Sequence, residues 1–128
     1  MRRRLWGDDR GAAAVEFALV FPLLVVLLFG IVEFGSIYNA QVMITGAARE
    51  GARTMAVTGS AASARTAVID ATGGLAPALV AADITVSPAA CTSTTDVEVT
   101  ISYDKPFLTG LFGATVELTG VGSRRCFG

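Results

Sequence analysis

Histidine is absent from this chain of 128 residues, cysteine occurs twice and tryptophan once. Without histidine the chain lacks the commonest general base and the commonest metal ligand. Two cysteines alone cannot complete a four-ligand zinc site. Charge is sparse as well, with 16% of residues charged and a formal net charge of −1. The one dense basic cluster is Arg2-Arg3-Arg4, followed by Arg10. That is far short of the basic surface nucleic-acid binding requires. These absences predict a non-enzyme, with no catalytic residue, cofactor, metal or nucleic-acid partner.

What the chain has in excess is apolar surface. Its hydrophobic fraction is 52% and its mean hydropathy is +0.59, and the excess is concentrated early. Residues 12–32 read AAAVEFALVFPLLVVLLFGIV, with Glu16 their only charge. This run of 21 residues matches the roughly 20 needed to cross a hydrocarbon core about 30 Å thick. It is apolar on every face rather than along one stripe, which argues against the core helix of a soluble protein. Lipid is therefore the first predicted partner. The arginines before the run place that end in the cytoplasm by the positive-inside rule, so the chain from about Phe34 onward is exported. A cleaved secretory signal fits poorly, because the run is too long and no small-residue site follows it. The arginine triplet does not complete a twin-arginine pattern either. A single-pass anchor is the better reading.

The front of the anchor is its most specific part. Gly11 is followed by Ala12-Ala13-Ala14-Val15, then by the pair Glu16-Phe17. A charged leader, a glycine and a Glu-aromatic pair resemble the prepilin-peptidase site of tight-adherence (Flp-type) pili. The resemblance continues through EFALVFPLLVVLLFGIVEFG and AAREGARTMAV, which look like the TadE-like pseudopilin family. It covers roughly the first half of the chain. Ala12 departs from type II secretion pseudopilins and ordinary type IV pilins, which usually carry Phe or Met directly after the glycine.

The resemblance implies cleavage between Gly11 and Ala12, making Glu16 and Phe17 the fifth and sixth residues of the mature chain. It implies as partners a prepilin peptidase, other pilins and pseudopilins, and the inner-membrane pilus assembly platform. A carboxylate near the bilayer edge is costly unless it is paired. Cleavage would create an α-ammonium at Ala12, about one helical turn from Glu16. Glu16 then reads as a registry device that meets its own or a neighbour's terminal amine. The alternative is an interfacial glutamate on an uncleaved anchor, its head reaching into the headgroup layer.

Pro22 removes one helical hydrogen bond and reads as a kink, with or without a role. Gly30 and Gly35 are ambiguous between helix contact and simple tolerance. Glu33 ends the apolar run and either faces a subunit contact or marks the interface. Beyond it, residues 36–57 contain no proline and keep helical spacing. Ala48, Ala52 and Ala56 form a small-residue stripe that another helix or the head could approach closely. Arg49, Glu50 and Arg53 lie on the more polar side, with Glu50 and Arg53 spaced as an i,i+3 pair.

Thr58-Gly59-Ser60 breaks this helix and caps a second over about 61–72, with Ala64, Ala67, Val68 and Ala71 on one face. Gly73-Gly74 stops it, and a turn of helix is expected somewhere in 75–82. From Asp83 the period changes to two. Ile84 and Val86 mark a first strand, Val97 to Tyr103 a second, and Val116 and Leu118 a third, with a loop from Lys105 to Gly110. The predicted fold is α+β and pilin-like: a long N-terminal transmembrane helix, a short helix and a small three-stranded antiparallel sheet. Its parts are a basic leader (1–11), the long helix (12–57, transmembrane over about 12–33) and an extracytoplasmic head (58–128).

In an antiparallel meander the first and third strands run the same way. Cys91 and Cys126, ending those two strands, come to one sheet edge, and an exported head permits a disulfide between them. Such a bond would add roughly 3–4 kcal/mol on the chain-entropy model. The alternative is two free thiols. Two functions from different classes remain. One is a minor pseudopilin, since the chain is too long for a major Flp pilin; the other is an anchored, unprocessed exported binding module whose head recognises a surface ligand. No constellation supports a tethered enzyme.

Overall fold

The computed structural model describes residues 8–127, the side chain of Asp8 excepted. The leader arginines Arg2, Arg3 and Arg4 lie outside the described residues. Helix α1 spans Asp8–Thr58, and its 51 residues make a rod about 77 Å long. Helix α2 spans Ala61–Ala71, a short 3-10 turn covers Ala81–Asp83, and three strands follow: β1 Ile84–Ser87, β2 Asp96–Pro106 and β3 Thr115–Arg125. The strands form one antiparallel sheet in the order β1-β2-β3. The architecture is α+β.

The two halves of α1 meet different surroundings for a compositional reason. The first half is apolar all round, and among the described residues it is left unburied, with only the Phe112 ring approaching its outer end at Gly30. It is long and apolar enough to cross a membrane, consistent with a single-pass anchor. Pro22 lies within it and the helix continues past it. In the second half, buried residues recur at helical spacing: Ala40, Ile44, Ala48, Ala52 and Ala56, with Ala47 and Met55 beside them. That face carries the head.

Local chemistry ends α1 where the spacing predicts. Gly59 adopts φ +68°, and its N–H donates to the Met55 carbonyl at 2.8 Å. A residue with a Cβ would be strained in that left-handed cap. The Ser60 hydroxyl then accepts from the Ser63 N–H at 3.2 Å, opening α2. Ala64 and Val68 are the buried face of α2, while Ala71 is exposed. The close crossing of the helices depends on Gly51, where a Cβ would stand 2.6 Å from Val68 Cγ2.

The sheet alternates as a half-buried sheet must. Ile84 and Val86 of β1 and Val97, Val99, Ile101 and Tyr103 of β2 point inward. In β3 the inward positions are Val116, Leu118, Gly120 and Gly122, so side-chain volume shrinks along the strand. A Cβ at Gly120 would lie 2.8 Å from the Ile44 carbonyl oxygen, and one at Gly122 would overlap the backbone of Ala48. Strand β3 therefore lies on α1 almost backbone to backbone, and the alanine stripe is the surface it lies on. Two strand residues advance about 6.8 Å and four helical residues about 6 Å. Gly120 on Ile44 and Gly122 on Ala48 thus keep step. As an edge strand β3 leaves carbonyls unpaired, and the Gln41 Nε2 donates to that of Thr119 at 2.9 Å.

Two expectations need correction. Strand β2 runs on to Pro106, paired with Thr115, so the loop starts after Pro106 rather than at Lys105. Cys91 does not end the first strand: β1 stops at Ser87, because Pro88 has no N–H for the ladder, and Cys91 lies in the connection to β2. Arg49, Glu50 and Arg53 are exposed, a solvated face on which the i,i+3 spacing closes no ion pair. Among the described residues the ion pair formed is Asp96–Arg125, at 3.5 Å and exposed, where it contributes little. Cys91 and Cys126 are bonded, with Cα atoms 5.6 Å apart and a sequence separation of 35. The bond ties the far end of the sheet, where the Phe127 N–H also donates to the Ala56 carbonyl at 3.2 Å.

Candidate functional site

The apolar segment of α1 carries one carboxylate within it and one at its outer end, and the two stand in opposite circumstances. Glu16 and Glu33 are separated by about 26 Å along the helix axis.

Gly11, Ala12, Glu16 and Phe17 lie on consecutive turns of α1 and are all exposed. Ala12 and Glu16, four residues apart, stand one above the other on one face. With Asp9, Gly11, Val15 and Leu19 they line a shallow concavity. Phe17 stacks on Phe21 with ring centroids 5.4 Å apart. A Cβ at Gly11 would meet nothing within 4 Å, so the Gly11–Ala12 bond is approachable from outside. The bond is nonetheless helical. Among the described residues Glu16 has no ion pair or hydrogen-bonded partner. The core of the head lies far away: Ala40, the first apolar core residue of α1, is about 36 Å from Glu16.

Glu33 is only 2% exposed. One of its oxygens accepts from the Leu108 N–H. The other accepts from the Thr109 N–H and the Thr109 hydroxyl, each at 3.3 Å. Three donors from the β2–β3 loop thus converge on one side chain of α1. The register of the sheet explains why they meet. Counting back five residues along β3 from Gly120 covers about 17 Å, the rise of about eleven helical residues. Eleven residues before Ile44 is Glu33. The carboxylate is satisfied within the chain, so neither a subunit contact nor a bare interface marker describes it.

The residues singled out from sequence do not form one site. Gly11, Ala12, Glu16 and Phe17 share the front edge of α1, and Pro22 lies on the next turns. Ala48, Ala52 and Ala56 lie under the sheet and α2, and the cysteines sit at the distal end. What sequence reasoning missed is the loop held by Glu33. Its signal was available: residues 107–114, FLTGLFGA, put four large apolar side chains in a turn. Among the described residues no group of three or more His, Cys, Asp or Glu side chains could hold a metal ion.

Residues 11–53 match the family described as TadE-like protein. The TadE-like segment starts at the glycine ahead of the apolar run and ends in the last turns of α1. It contains Glu16, Glu33, Ala48 and Ala52, and it leaves α2 and the sheet outside. The match associates the chain with tight-adherence pilus systems and, in general terms, with pilus assembly components. No curated protein and no solved structure matches the chain.

Proposed function

We propose that this chain is a minor pseudopilin-like structural or assembly subunit of a tight-adherence pilus system. It has no enzymatic activity of its own. A prepilin peptidase removes the leader by cutting between Gly11 and Ala12, and the TadE-like helix anchors the product with its N-terminus cytoplasmic and its head extracytoplasmic. Its partners are that peptidase, other pilins and pseudopilins, and the inner-membrane assembly platform.

The observation that carries this reading is the contrast between the two carboxylates. Glu33 is fully satisfied inside the chain, whereas Glu16, in the apolar segment, has no partner among the described residues. Cutting after Gly11 would place an α-ammonium one turn from Glu16, on the same helix face. An ammonium there, from the same chain or a neighbour, offsets the cost of a lone carboxylate at the membrane edge. Gly11 also suits the cut mechanically. A peptidase needs the bond opened from the helix, and glycine favours helix less than alanine by about 1 kcal/mol.

The test is the N-terminus of the membrane-extracted protein, read by mass spectrometry with and without a co-expressed prepilin peptidase. A chain beginning at Ala12 only when the peptidase is present is the expected result. An intact Met1, while a control substrate is cut, would overturn the proposal in favour of an unprocessed anchored binding module.

A further inference from the structure

Leu108, Leu111 and Phe112 are 60%, 62% and 47% exposed, at the tip of the loop that Glu33 holds. Residues 107–114 carry no charge, so the tip presents a small apolar surface with nothing from the head over it. Its position is specific. The Phe112 ring lies 6.3 Å from that of Phe34, and its Cζ is 3.8 Å from the place of a Cβ on Gly30. Gly30 is three residues before Glu33, about 4.5 Å deeper into the apolar run. Phe112 lines one apolar groove with Val26, Leu27, Gly30, Ile31 and Phe34. The loop tip is thus continuous with the surface of the membrane-spanning segment.

We propose that this tip is a second membrane contact, in which Leu108, Leu111 and Phe112 enter the interfacial layer of the bilayer beside α1. The inference rests on the membrane-anchor reading of the helix. Its occupant is lipid, because the neighbouring groove residues belong to the run that lipid already surrounds. Part of the backbone is prepared for that setting, with four N–H groups of the loop partnered inside the protein. Irregular chain at membrane depth is tolerated only where its polar groups find partners in the protein. The N–H groups of Leu108 and Thr109 are taken by Glu33. That of Phe107 is taken by the Ala114 carbonyl at 3.1 Å, and that of Leu111 by the Thr109 hydroxyl at 3.4 Å. The buried carboxylate thereby has a purpose beyond tethering. It absorbs two N–H groups and one hydroxyl of a loop whose side chains leave water. With the helix and the loop both in the interface, the head is held to the bilayer at two points, and head and α1, packed together, cannot turn freely about the helix axis.

Tryptophan fluorescence in lipid vesicles tests the proposal. The full chain carries Trp6→Phe, which removes its one native tryptophan, together with one reporter. The reporters are Phe112→Trp, Leu111→Trp, Leu24→Trp in the middle of the span and Val57→Trp at the far end of α1. Each variant is reconstituted in phosphatidylcholine brominated either near the headgroup or deep in the acyl chain. Leu24→Trp should be quenched by deep bromines, and Val57→Trp by neither. Both loop reporters should be blue-shifted and lose most of their emission to shallow bromines. Loop reporters that stay unquenched while Leu24→Trp is quenched would overturn the second contact and leave the anchor intact. Loop reporters shielded from acrylamide but not reached by bromines would also overturn it, since a protein partner would then cover the tip. An unquenched Leu24→Trp would overturn the anchor reading itself.

Discussion

Gly122 of β3 rests on the backbone of Ala48 in α1, so closely that a Cβ on the glycine would overlap the Ala48 carbonyl group and the next amide nitrogen. The obstacle is main chain, which cannot rotate aside as a side chain does. Gly122→Ala must therefore push the strand off the helix or bend it. We expect a loss of about 1–3 kcal/mol, toward the upper end of the range for overpacking, measured by denaturant unfolding of the purified protein in detergent. Gly46→Ala is the contrast. It lies on an exposed face of the same helix, and a Cβ there meets nothing within 4 Å. That change should stabilise the protein by about 0.5–1 kcal/mol. If both substitutions behave alike, the backbone contact does not control the packing.

Glu33→Ala should release the β2–β3 loop. The change leaves the Leu108 and Thr109 N–H groups without their acceptor, at about 1–3 kcal/mol for each that water does not recover. Hydrogen–deuterium exchange should quicken at Leu108 and Thr109 and stay unchanged at Val99 and Ile101 in the centre of the sheet. Equal acceleration throughout the sheet would mean that Glu33 supports the whole head rather than the loop.

Glu16→Ala should be processed normally and fail in assembly. Glu16 lies five residues beyond the Gly11–Ala12 bond and is exposed, so its loss leaves the bond as approachable as before. Under the proposed function, assembly instead requires the carboxylate to meet an amine. The measurement is the mature N-terminus alongside pilus yield in a strain depending on this variant. Normal piliation would remove the proposed role of Glu16.

Tyr103 gives the head a defined alkaline response. Burial raises the pKa of its phenol, and the Asp83 carboxylate raises it further. The hydroxyl donates to the Pro77 carbonyl at 2.9 Å. The folded protein therefore keeps this proton to higher pH than the unfolded chain, where tyrosine titrates near about 10. Its contribution to stability is complete below that value and is lost as pH rises through the folded-state pKa. Tyr103→Phe should flatten the decline on the alkaline side. At neutral pH it should lower stability by about 0.5–1.5 kcal/mol through the missing hydrogen bond. Unfolding free energies across the alkaline range would check both effects.

Most of the secondary structure was legible in the sequence because each element carries its own local signal. The Gly59 break and the Ser60 cap ended α1 and opened α2 at the expected places. Alternation from Val97 to Tyr103 marked β2 without reference to any partner. Signals weakened where an element depends on another. Past Thr119 the inward positions of β3 are Gly120 and Gly122, which have no apolar side chain to show a period. Only the nearby helix explains why glycine stands there. The cysteines pointed toward one edge of the sheet, but the role of Pro88 in ending β1 moved Cys91 off the strand.

Sequence by itself determined that a continuous apolar run of membrane length leads the chain, that Glu16 is its one interior charge, and that a small α+β head follows. Periodicity, caps and charge placement act over neighbouring residues, so these features are readable one segment at a time. Only the tertiary structure decided the fate of Glu33. Its hydrogen-bonded partners, Leu108 and Thr109, lie 75 and 76 residues away. They reach it because β3 lies along α1 at a spacing set by the backbone contacts at Gly120 and Gly122. Register between a strand and a helix follows from the rise of each and from where they touch, and neither quantity is written in any local stretch of residues. The same docking carries the apolar tip of the loop down beside Gly30.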